Sequence, residues 1–213
     1  MAGSDSAKVR ALLDNAGQTY ATEAGIEIAD KPAPLYRLAV LSLLLSTRIK
    51  AGIAVSAARE LSAFGTPQRM LDASWQQRVD TLGRGHYVRY DESTATALGE
   101  GAQLLLDEYR GDLRRMREQA NGDVGEFRGL LCRLPKIGPV GAHIFCREVQ
   151  QVWPELRPYL DAKALDGAKA MDLPADAKEL AKLVSEDDLA RFAAALVRVA
   201  LDKKLAKSIA SGE

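Results

Sequence analysis

Apolar residues recur at three- and four-residue spacings along most of the chain, the period of a helix with one buried face. The pattern predicts helices over residues 5–24, 34–47, 50–64, 91–109 and 185–204. In the last of these, Leu189, Phe192, Leu196 and Val199 form the buried stripe, and Ser185 followed by Asp188 gives a start resembling a capping box. No Asn-Gly turn lies between alternating strand-like runs; Asn121-Gly122 falls between two helical patterns. The prolines fall between periodic segments, as the connections of an all-α fold require. There is no internal repeat and no low-complexity tract.

Composition narrows this little. At 213 residues, with 47% hydrophobic and 27% charged positions, the chain suits one domain or two small interleaved lobes. Its 29 basic residues balance 29 acidic ones. That removes the simplest argument for a nucleic-acid partner and leaves the local distribution of charge to decide. The basic cluster Arg110, Arg114, Arg115 and Arg117 reads first as a solvated helix face and second as a phosphate contact. Cys132 and Cys146 are too few for a four-cysteine zinc or iron–sulfur site, and both are expected to be buried thiols in a reducing cytoplasm. The most apolar run, residues 38–45, is interrupted by Ser42 and is far short of a membrane span. No basic leader precedes an apolar stretch near Met1. The expected setting is cytoplasmic, with no membrane contact.

Residues 126–142 are the most informative segment. Leu130, Leu131 and Leu134 suit the apolar face of a helix that stops before Pro135. A tight turn follows, and Pro139 suits the first turn of a second helix, where its missing N–H is no loss. Helix, hairpin, helix leaves backbone N–H groups free at the second helix's start, where they and the helix dipole favour an anion. Gly138 and Gly141 let a phosphate approach the backbone. An ordinary Pro-Gly turn is the competing reading.

Residues 134–142, Leu-Pro-Lys-Ile-Gly-Pro-Val-Gly-Ala, resemble the helix–hairpin–helix of base-excision DNA glycosylases related to endonuclease III. The resemblance implies an all-α, two-lobed fold, with one lobe over residues 33–135 and the other from 1–32 plus 136–213. It implies a catalytic aspartate about twenty residues past the hairpin, where Asp161 stands in Tyr-Leu-Asp-Ala-Lys. Asp161 also reads as a helix N-cap, and Asp166 is the competing carboxylate. Upstream, residues 43–50 resemble the helix end whose side chain fills the gap left by an extruded base, here Arg48. Residues 85–89, Gly-His-Tyr-Val-Arg, resemble the loop that supports the opposite strand, giving His86, Tyr87 and Arg89 as DNA contacts. Lys136, Gly138, Val140 and Gly141 complete the expected DNA contacts. A monovalent cation, Na+ or K+, is implied at the backbone carbonyls of Cys132, Leu134 and Ile137.

The departures refine the expectation. Bifunctional relatives carry a Schiff-base lysine where this chain has Val140, and valine is no nucleophile. Lys136 replaces the first hairpin glycine. No cysteine follows Cys146, so no iron–sulfur cluster is implied. Leu43 occupies the position of the glutamate used by adenine-excising relatives. The implied function is a monofunctional, monomeric glycosylase acting on a damaged or mispaired base in duplex DNA. The alternatives are a damaged-DNA-binding protein of the same fold without chemistry, a bifunctional enzyme with a displaced lysine at Lys136 or Lys163, and a helical scaffold unrelated to DNA. Tyr159, Trp75 and Trp153 are candidate stacking residues that more simply belong to the core, and His143 reads as a structural helix histidine.

Overall fold

The computed structural model describes residues 2–211, with side chains from residue 5 onward. In chain order the α-helices are α1 Ala2–Ala16, α2 Tyr20–Glu23, α3 Pro32–Leu45, α4 Ala51–Leu61, α5 Pro67–Asp72, α6 Trp75–Arg84 and α7 Asp91–Tyr109. They continue as α8 Leu113–Ala120, α9 Val124–Leu131, α10 Pro139–Val149, α11 Ala162–Ala170, α12 Ala177–Ala181, α13 Leu189–Leu201 and α14 Lys203–Ser211. Among the described residues there is no strand, and no helix is long and apolar enough to cross a membrane.

The chain divides into two compact units. The first is Ala21–Phe145. Its centre is α3, where every residue from 35 to 44 except Arg37 is buried. The apolar run at 38–45 is therefore a core helix enclosed on all sides. Arg78 of α6 ties its helix to α5 and α7 from within: its guanidinium donates to the carbonyls of Met70, Ala73 and Ala95 at 2.7–2.9 Å. The Met70 and Ala73 carbonyls, at the end of α5 where no intrahelical N–H reaches them, are thereby satisfied. Gly85 lies against α4, where a Cβ would come within 2.4 Å of the Ala57 Cα.

The second unit joins the residues up to Tyr20 to those from Cys146 onward. Here α13 is central, and its predicted stripe of Leu189, Phe192, Leu196 and Val199 is buried throughout. Leu12 from α1 and Ala164 and Ala168 from α11 pack into the same core. Gly167 lets α11 lie directly on α13, since a Cβ there would sit 1.9 Å from the Leu196 carbonyl oxygen.

Several expectations change in detail. The boundaries fall at 20/21 and 145/146 rather than at 32/33 and 135/136. Residues 21–32 belong with the first unit because Arg59 donates to the Glu23 carbonyl and Arg114 and Arg117 reach Asp30. The first half of α10 belongs there too, with the Phe145 ring 5.8 Å from Phe127. The helix expected over 5–24 is broken at Gly17, whose N–H closes α1 onto the Leu13 carbonyl. Short elements such as α5, α8 and α12 are set by side-chain caps from Thr66, Asp112 and Asp176 rather than by a long apolar period. Cys146 is buried as expected, but Cys132 is exposed because it caps the end of α9.

Candidate functional site

In the first unit α9 and α10 form the predicted helix–hairpin–helix. Asp123 caps α9 by accepting from the Gly125 and Glu126 N–H groups. The two helices are held together by the Phe127–Phe145 contact and by Arg128, whose guanidinium lies 3.2 Å from His143 Nε2. A guanidinium only donates, so His143 accepts at Nε2 and carries its proton on Nδ1. That makes His143 a structural tie.

The turn over residues 134–137 closes with the Ile137 N–H on the Leu134 carbonyl at 3.0 Å. Pro135 occupies its second position and Lys136 its third, with φ +62°. This is the type II arrangement, which ordinarily asks for glycine at the third position. A lysine there carries a strain of about 1 kcal/mol. Its side chain crosses to the start of α7, donating to Ser93 Oγ at 2.5 Å and lying 3.4 Å from Thr94 Oγ1 and 5.8 Å from the centre of the Tyr90 ring. Among the described residues no carboxylate pairs with it. Burial pushes its pKa below the ordinary lysine range.

Beyond the turn, Gly138 borders open space and Val140 is 61% exposed. Gly141 is a correction: it is buried, and a Cβ there would meet Ile137 Cγ2 at 3.2 Å and the Ser42 carbonyl at 3.4 Å. Its smallness serves the packing of α10 on α3, not a phosphate's approach. In the hairpin turn, neither the Cys132 nor the Ile137 carbonyl takes part in the backbone hydrogen bonding described, whereas Leu134 accepts one bond.

The 85–89 loop is the C-terminal cap of α6. The Tyr87 N–H bonds the Leu82 carbonyl and the His86 N–H the Gly83 carbonyl, a Schellman pair with His86 at φ +62° in the usual glycine position. His86, Val88 and Arg89 are exposed. Tyr87 is the second correction, because it is fully buried. Its hydroxyl bonds Thr47 Oγ1 at 3.0 Å and lies 3.4 Å from Thr94 Oγ1. It seats the loop on the end of α3 and has no surface to offer a DNA strand. At that end, Ser46 and Thr47 turn their hydroxyls back onto the Leu43 and Leu44 carbonyls, both at 2.8 Å. Arg48 follows, exposed.

The hydroxyls of Thr47, Tyr87 and Thr94 and the ammonium of Lys136 thus draw three distant sequence motifs into one cluster. Sequence reasoning missed Thr94, which lies in the first turn of α7 and carries no local signal.

Asp161 lies in the second unit, at the N-cap of α11, where it accepts from the Ala164 N–H at 3.2 Å. It also accepts from Arg147 at 2.5 Å, with the two side chains 7% and 10% exposed. The cap reading is therefore correct, and it coexists with a buried ion pair that the sequence did not announce. Asp166, the competing carboxylate, is exposed between Lys163 and Lys169 at 3.8 and 4.0 Å. Trp153 is 1% exposed and belongs to the core, and Trp75 is 41% exposed with its indole bonded to Thr96. In the basic cluster, Arg114 is occupied by Asp112 and Arg117 by Asp30, while Arg110 and Arg115 are exposed. Among the described residues no group of three or more His, Cys, Asp and Glu side chains is placed to hold a metal.

No family model and no curated protein matches this chain. Solved structures do. A non-covalent endonuclease III–DNA complex aligns over 91% of this chain and 85% of its own, at TM-score 0.50 and 15% identity. A thermostable thymine-DNA glycosylase aligns over 91% and 86%, at TM-score 0.51 and 14% identity. The fold is that of the helix–hairpin–helix DNA glycosylases.

Proposed function

We propose that this protein is a monofunctional DNA glycosylase that hydrolyses the bond between a damaged or mispaired base and deoxyribose in duplex DNA. The observation that carries the reading is the Thr47–Tyr87–Thr94–Lys136 cluster, which gathers the hairpin, the 85–89 loop and the end of α3 in one unit. Exposed Arg48, His86, Arg89 and Lys136 surround it. The N–H groups at the start of α10 hold a backbone phosphate, with Lys136 beside them. Arg48 enters the space vacated by an extruded nucleotide and donates to the orphaned base, while His86 and Arg89 hold the other strand. These contacts position the duplex without reading its sequence. The hairpin carbonyls of Cys132, Leu134 and Ile137 would hold a monovalent cation that fixes the turn.

Asp161 supplies the chemistry in this proposal. As the C1′–N bond breaks, its electron pair leaves with the base and positive charge develops on the sugar. A carboxylate stabilises that charge and orients a water whose oxygen adds to C1′, its proton passing to the carboxylate or to solvent. The lack of lyase activity follows from Val140, which cannot form a Schiff base. The test is single-lesion duplexes incubated with and without alkali and with borohydride. Base release that needs alkali for strand cleavage, with no covalent trapping, is expected. A trapped complex would reassign the chain as bifunctional through Lys136 or Lys163.

One observation favours a second reading. Asp161 is already matched by Arg147 at 2.5 Å, so part of the field it would exert on a cationic sugar is compensated. A damaged-DNA-binding protein without chemistry fits that pair, and it would bind abasic duplex while releasing no base.

A further inference from the structure

At the end of α10 the main chain turns back through residues 151–160 to reach Asp161, and a single buried amide governs that return. Gln150 is wholly unexposed. Its Oε1 accepts the Tyr159 N–H at 2.9 Å, while its Nε2 donates to the Tyr159 carbonyl at 3.1 Å and to the Arg147 carbonyl at 2.9 Å. The side chain thus pairs with the Tyr159 backbone from both sides, as a neighbouring strand would, two residues before Asp161. The Gln150 carbonyl is in turn fixed by Arg157 Nε at 2.7 Å, and the Gln151 carbonyl by the same guanidinium at 2.7 Å. Arg147, one turn before Gln150 on α10, holds the Asp161 carboxylate itself. A buried apolar side chain of equal volume would fill this space without these bonds; the amide fixes where the 157–161 strap lies against α10.

We infer that Gln150 is a positioning residue for the Asp161 carboxylate, setting its place relative to α10 through the two-sided pairing with the Tyr159 backbone. The inference rests on the reading that Asp161 acts in base release. A misplacement of about 1 Å at a reacting group lowers rate by roughly 100-fold, and that is the loss expected for Gln150→Met. Binding is assigned to residues of the other unit, so affinity for an abasic duplex should stay within about twofold, as expected for a residue that acts only on the chemical step.

The test is single-turnover base release and abasic-duplex affinity for the wild type, Gln150→Met, Asp161→Asn and the double variant. The inference predicts a kcat loss in Gln150→Met without loss of affinity, and a double variant no slower than Asp161→Asn alone. A double variant slower by the full Gln150→Met factor would show a general structural role and overturn it. Where Gln150→Met fails to fold, Gln150→Glu, which keeps the acceptor for the Tyr159 N–H, is compared instead; an unchanged rate there overturns the inference. An active wild type with unaffected Gln150 variants removes the positioning role alone. A wild type that binds abasic DNA and releases no base removes the catalytic reading and the inference with it.

Discussion

Arg147 and Asp161 form the most consequential pair of side chains in the second unit. Both are nine-tenths buried, and each is the other's charge partner. Removing one partner of such a pair leaves an uncompensated buried charge and costs about 3–5 kcal/mol. Arg147→Met should therefore destabilise the protein by that amount in urea unfolding, and a change below about 1 kcal/mol would mean the pair is more solvated than its burial indicates. Asp161 was singled out by the family resemblance, and as a helix N-cap by its own sequence. Arg147 was not, because an arginine two turns into a helix resembles any solvated one until the returning chain is placed beside it. Gln150 was hidden for the same reason, its role depending wholly on a strap nine residues later.

The hairpin shows what an element asks of its sequence and where this chain declines to supply it. Its type II turn favours glycine at the position of Lys136, just as the cap of α6 favours glycine at His86. Both strained residues are exposed and ionisable, a combination that points to function because stability alone would select against it. Lys136→Gly should raise unfolding stability by about 1 kcal/mol. The same change should weaken DNA binding uniformly across sequences and reduce the salt slope by about 1. Stabilisation with unchanged binding would remove Lys136 from the interface. Its ammonium also sets a pH dependence. Because the folded-state pKa lies below the ordinary 10.5, the unfolded chain holds the extra proton in the window between them. Stability from this group should therefore rise as pH increases through that window, and Lys136→Met should flatten the rise in alkaline urea titrations.

Element by element, the long periodic helices were readable, α7 with its bounds as predicted. Tyr87 and Gly141 were assigned to DNA because motif position says nothing of which way a side chain faces. The structure turns Tyr87 inward onto Thr47 and spends Gly141 on packing against α3. Tyr87→Phe, which keeps the ring and removes the hydroxyl, should cost about 1 kcal/mol of stability. It should also weaken abasic-DNA binding through a less firmly seated 85–89 loop. A loss of stability without any change in binding would confine Tyr87 to the core.

At the scale of the whole molecule, a net charge of zero hides an uneven distribution. Some acidic side chains occupy arginines elsewhere, as Asp30 and Asp112 do, while Arg48, His86, Arg89 and Lys136 remain exposed around one cluster. Affinity for duplex should accordingly fall steeply with salt, with a log–log slope of about −0.9 for each phosphate engaged. The fold was legible because the ordered motifs span most of the chain. A substrate was not, because no local pattern records the lining of a site assembled from residues far apart in sequence.

The most direct measurement of the central claim is single-turnover base release from lesion-bearing duplexes, wild type beside Asp161→Asn, with abasic-duplex affinity measured on both. The account predicts release by the wild type on at least one lesion, a fall of about 100-fold or more in the variant, and affinities that differ little. Release by Asp161→Asn at the wild-type rate would contradict it.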